Sequence, residues 1–172
     1  MSQTFSPARF LPLIIAMVSF NSLFGNDPAP ERQPMTGAGL HAILKASVDE
    51  IVAAEGNVVR FRHAEVDLIC IFDERYNRMR IIAPIKSYAE VTPEEKDRML
   101  SANFHSSLDA RYCASNGILY AAYLHPLAPL TREDLLTAVY QVASLRLSFG
   151  GDYSSGLLSF GEPERPNGKG PI

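Results

Sequence analysis

Apolar residues recur along this chain in two periods, and the switches between them mark out the elements. Leu40, Ile43, Leu44, Val48, Ile51 and Val52 are spaced as one face of a helix, with Lys45, Asp49 and Glu50 off the stripe. That spacing predicts a first helix over about Thr36 to Ala54. Gly56 follows as its C′ residue, free to take the left-handed conformation that ends a helix. The period then falls to two. Val58 to Arg62, Val66 to Phe72 and Met79 to Ile85 read as strands, and their short links make them antiparallel neighbours in a meander. Pro84 has no amide to donate, so the third strand is an edge there or ends there.

From Thr92 to Phe149 the pattern reads helix, hairpin, helix. Thr92 and Thr131 each offer a capping hydroxyl ahead of first-turn carboxylates, Glu94-Glu95 and Glu133-Asp134. Between the helices, Ala110 to Ala114 and Ile118 to Leu124 flank Asn116-Gly117, a pair suited to the positive φ of a tight hairpin turn. The Thr92 helix is expected to place Met99, Leu100, Phe104 and Leu108 inward, with Asn103 between them. The whole predicts an α+β domain over 38–150. It is an antiparallel sheet (a three-strand meander plus a hairpin) packed with helices in the order α-β-β-β-α-β-β-α.

The last helix stands out. Its apolar arc runs from Leu145 round to Tyr140 and covers about 220°, against the roughly 100° that a helix covered on one side needs. Thr137, Gln141, Ser144 and Ser148 form the polar side. Leu136, Tyr140, Ala143 and Leu147 line up at one side of the arc as a ridge, with Arg146 inside the arc in the last turn. Arg146 suits the helix dipole there and its stem can snorkel, with a specific acidic partner as the alternative. Two covers fit the ridge: a second copy or client polypeptide, or the segment Gly156 to Phe160 folded back.

The ends have a different character. Phe10 to Phe20 is nearly continuous apolar sequence behind Arg9, and no charge appears from Phe10 through Asn26. This matches the h-region of an export signal over 1–25 and points to the periplasm. An uncleaved anchor, the one membrane contact expected, or a cytoplasmic protein with an N-terminal extension are the alternatives. Pro28, Pro30 and Pro34 make 26–37 a linker. After Gly150-Gly151 order is expected to decline, leaving 151–172 a mostly disordered tail.

Charge and chemistry narrow the function. With 16 basic and 19 acidic residues the net charge is −3, and no Lys/Arg block appears, which argues against a nucleic-acid footprint. His41, His63, His105 and His125 lie on different elements without metal-ligand spacing. No nucleophile elbow or phosphate loop is present. No catalytic residue, metal or cofactor is therefore expected. Cys70 and Cys113 allow one disulfide, but each sits among apolar strand residues and reads as a buried free thiol.

In its element order, and in the helix stretch Met99-Leu100-Ser101-Ala102-Asn103-Phe104, the chain from Leu40 to Phe149 resembles the type III secretion chaperone-like fold. It is similar in particular to the YbjN family of sensory transduction regulators and to the CesT/Tir chaperones. An apolar second hairpin strand, Gly117 to Leu124, and the Leu130-Thr131 pair that opens the closing helix add to the likeness. The resemblance implies a non-catalytic domain, often a homodimer, that binds a polypeptide segment or regulates other proteins. A small-ligand sensor is the alternative.

Overall fold

The computed structural model describes residues 33–158, so the expected leader at 1–25, most of the linker and the end of the tail lie outside it. Three helices begin on the caps that their threonines supply. Thr36 accepts from Gly39 N (3.1 Å) at the start of α1, Gly37–Ser47. Thr92 and Thr131 open α2, Pro93–His105, and α3, Arg132–Leu147. Each forms a reciprocal capping box. Thr92 Oγ1 accepts from Glu95 N (3.2 Å) while Thr92 N donates to Glu95 Oε2 (2.8 Å). Thr131 and Asp134 repeat the arrangement at 3.0 Å in both directions. Among the described residues no helix is long and apolar enough to cross a membrane.

The first helix is shorter than its apolar stripe. It stops at Ser47, Val48 is extended, and Glu50–Glu55 forms strand β1. Val48, Ile51 and Val52 are β-branched, which weakens their helix preference and suits a pleated surface. Gly56 (φ +56°) is therefore not a helix C′ but the first residue of a two-residue turn into β2, Val58–His63. The meander continues through β3, Val66–Asp73, and β4, Arg78–Ser87. The hairpin follows as β5, Arg111–Ser115, and β6, Ile118–His125, with positive φ at both Asn116 and Gly117 as expected.

The six strands form one antiparallel sheet in the order β1-β2-β3-β4-β6-β5. The expected α+β class holds, with one strand more than the pattern showed. Pro84 sits in a central strand, yet it lies beyond Ile82, where the β3–β4 pairing stops, and a register shift follows before Lys86. It removes no ladder bond on the β3 side.

Helices α1 and α3 cover one face, and α2 lies at its β5 edge. Val59, Phe61, Leu68, Cys70, Ile81, Ala83, Ala121 and Tyr112 point to it and are buried together with Leu40 and Leu44 of α1 and Leu135, Val139, Val142 and Leu145 of α3. Beyond α3 the chain stays docked through Ser155. Tyr153 and Ser155, placed above in the tail, are 5% and 0% exposed. Tyr112, Phe149 and Tyr153 pack edge to face with ring centroids 5.5–5.9 Å apart.

Candidate functional site

Every second strand residue points away from the helices, and these residues build a second surface. The register aligns Arg60, Ile69, Ile82, Ala122 and Arg111 in one row across β2, β3, β4, β6 and β5. The neighbouring row holds Val58, Ile71, Arg80 and Leu124. Ala122 is buried; the other residues of both rows are half-buried or exposed, so this face is uncovered among the described residues. Aliphatic side chains alternate there with arginines.

The charges on this face are unequal. Arg62 is paired near one border, with Asp67 at 3.0 Å and Glu50 at 3.7 Å. Both interactions raise its pKa, the Asp67 hydrogen bond most. Arg60 and Arg80 have no ion pair among the described residues, and Arg111 donates only to the carbonyls of Leu108 and Ala110. Burial raises the Cys113 thiol pKa, and the Arg80 charge pulls against it.

On the helical side, the ridge expected on α3 is split by burial. Tyr140 and Leu147 are 58% and 57% exposed and stand two turns apart, while Leu136 and Arg146 are half-buried and Ala143 is buried at 2%. The buried arc of α3 is displaced toward its polar side and takes in Gln141, 3% exposed. Gln141 Oε1 accepts from both Asp109 N and Ala110 N at 3.0 Å, so the residue read as solvent-facing holds the loop ahead of β5. The expectation for α2 needs a similar correction. Met99 is buried and Leu108 half-buried, but Leu100 and Phe104 are 69% and 77% exposed. The buried side of α2 is Met99 and Ala102, because the helix lies beside the edge strand β5 and offers it only a narrow stripe.

The described part of Gly156 to Phe160 does not cover the α3 ridge. Ser148 Oγ donates to Ser154 O (2.7 Å), Ser106 Oγ to Tyr153 O (2.8 Å) and Ser155 N to Ser106 O (3.1 Å). These bonds direct the segment to the C-terminal end of α2, with Leu157 fully exposed beyond it.

The cysteines are both free, and they face opposite ways. Cys70 is in the core, where burial pushes its pKa up to about 12, while Cys113 is on the outer face and exposed rather than buried as expected. The histidines remain dispersed. Among the described residues no group of three His, Cys, Asp or Glu is arranged to hold a metal. Two shallow hollows flank the β1–β2 edge. One of about 140 Å³ is lined by Ala53, Glu55, Val58 and Arg60. The other, of about 200 Å³, lies between the start of α1 and Phe72.

Comparison with known proteins finds likeness in fold. No family model matches the sequence, and no curated protein matches it. Among solved structures, the chain is similar to one from the complex of the Yersinia pestis type III secretion chaperone SycH with a stable fragment of YscM2. The TM-score is 0.52 at 8% identity, over 66% of this chain and 99% of that one. It is also similar to a chain of the HopA1–SchA chaperone–effector complex, with TM-score 0.50 at 11% identity over 64% of this chain and 88% of that one. The fold is type III secretion chaperone-like.

Proposed function

We propose that this chain is a non-catalytic, chaperone-like module that binds a segment of another polypeptide. The observation that carries the reading is the one-sided sheet: a wide antiparallel surface rich in half-exposed aliphatic residues and left without a cover among the described residues. Exposed apolar surface of that extent marks an interaction site. Two solved structures of like fold are complexes of a chaperone with another protein, which supports the same reading. A resemblance to the YbjN family rests on sequence alone: the Met99–Phe104 stretch, the Gly117–Leu124 strand and the Leu130-Thr131 pair. A small-ligand sensor finds no support in the hollows at β1–β2, which fall below the roughly 300 Å³ where ligand pockets begin.

Selection of random peptides displayed on phage against the full chain tests the reading. Enrichment of a related set of sequences that bind in solution with micromolar affinity is the expected result. A selection that enriches nothing, repeated with the parent protein shown to be folded, would overturn it.

The same reading assigns the Tyr140–Leu147 pair to a second copy of the chain. Tyr140→Ser combined with Leu147→Ser should then turn a dimeric parent into a folded monomer by light scattering. A parent that is monomeric at high concentration removes that assignment.

A further inference from the structure

We infer that the outer sheet face takes an extended polypeptide segment that carries two acidic residues about six positions apart with aliphatic residues between them. This inference rests on the polypeptide-binding reading above and specifies the partner's chemistry. The chain is acidic overall, with 19 acidic residues against 16 basic, yet Arg60, Arg80 and Arg111 all stand in these two rows, and from β2 to β5 neither row holds a carboxylate; Glu55 continues the second row on the edge strand β1, beside Val58. Arg60 and Arg80 have no ion pair among the described residues. The acids of the face, Glu50, Glu55, Asp67 and Asp73, lie toward its borders, and Glu50 and Asp67 are already engaged by Arg62.

The spacing sets the length. Arg60 and Arg111 stand in one row with Ile69, Ile82 and Ala122 between them, and Ala53 of β1 continues it beyond Arg60. Four inter-strand steps of about 4.8 Å separate the two by ~19 Å, and an extended chain covers that distance in roughly six residues at ~3.3 Å each. Carboxylates at positions 1 and 7 of such a segment point to the same side as positions 3 and 5. Aliphatic side chains at 3 and 5 then meet Ile69, Ile82 and Ala122 while the carboxylates reach the arginines. Guanidinium groups suit carboxylates because they present paired donors in a plane.

A second copy is a poor occupant, since face against face would set arginine against arginine. A nucleic acid is also a poor one, since the residues between the arginines are aliphatic and offer no stacking platform.

The experiment uses the full chain and a dye-labelled peptide, Glu-Thr-Val-Thr-Ile-Thr-Glu, with its Lys-Thr-Val-Thr-Ile-Thr-Lys counterpart, read by fluorescence anisotropy. The acidic peptide should bind at least tenfold more tightly than the basic one, with affinity falling as salt is raised. The Arg60→Glu/Arg111→Glu protein should reverse the preference, which a misfolded variant could not do. Equal binding of the two peptides, binding of neither, or tighter binding of a single-stranded DNA of equal charge would overturn the inference. Peptides enriched by phage selection that bind without regard to Arg60 and Arg111 would leave the general reading in place and remove this one.

Discussion

The side-chain amide of Asn103 pairs with both backbone groups of Tyr112. Its Oδ1 accepts from Tyr112 N (2.8 Å), and its Nδ2 donates to Tyr112 O (3.2 Å). Tyr112 lies on β5, the edge of the sheet, so a helix side chain stands where a seventh strand would pair. Unpaired edge groups template association with other chains, and proteins commonly cover them.

Asn103→Ala should therefore destabilise the domain by about 1–3 kcal/mol, the cost of leaving hydrogen-bonding groups without partners. It should also promote self-association through β5. Chemical denaturation and light scattering measure the two effects separately. A variant with parental stability and an unchanged size distribution would contradict the role given to Asn103.

Gln141→Leu keeps the volume of a buried side chain but removes the acceptor shared by Asp109 N and Ala110 N. The expected loss is again about 1–3 kcal/mol by urea denaturation, because the Ala110 amide is buried. Faster hydrogen exchange at Asp109 and Ala110 would locate the effect. Unchanged exchange there would show that another group holds the loop.

The cysteines should report their two faces directly. At pH 8 in the native protein, Cys113 should react with a thiol reagent well before Cys70, whose pKa of about 12 and burial both suppress the thiolate. Denaturation should make both react together. Native labelling at equal rates would place Cys70 at the surface.

Leu100→Asp and Phe104→Asp should each change stability by no more than about 0.5 kcal/mol, as is usual at exposed positions. Met99→Asp should cost several kcal/mol, since it buries a charge without a partner. Thermal melts of the three variants compare them side by side. A large drop for Leu100→Asp would mean that α2 turns the other way.

The contrast between Met99 and Leu100 also shows where sequence reasoning ran out. Apolar spacing on α2 identifies a helix with an apolar side, but the width of the stripe that is covered depends on what lies beneath it. Here that is one edge strand rather than a broad sheet. The same limit applies on α3, where Gln141 is buried because a loop distant in sequence turns its amides toward it. At residues 48–55 helical and extended pairings share the same apolar positions, and a partner strand decides between them. Thr92, Thr131 and Asn116-Gly117 were legible because their geometry is local: a cap or a tight turn is completed within four residues. The outer face was half legible. Alternation placed Val58, Arg60 and Arg62 together on one strand, but only the register across strands brings Arg60 and Arg111 into one row.

The uncovered face has a consequence for how such a chain can change over time. Along each strand, odd and even positions answer to different demands: one set holds the helices, and the other faces away from them. Substitutions in the outward set therefore cost little folding stability. A lineage could redraw its partner preference by drift at positions such as Arg60, Arg80 and Ile71 while Phe61, Ile81 and Cys70 stay fixed between them.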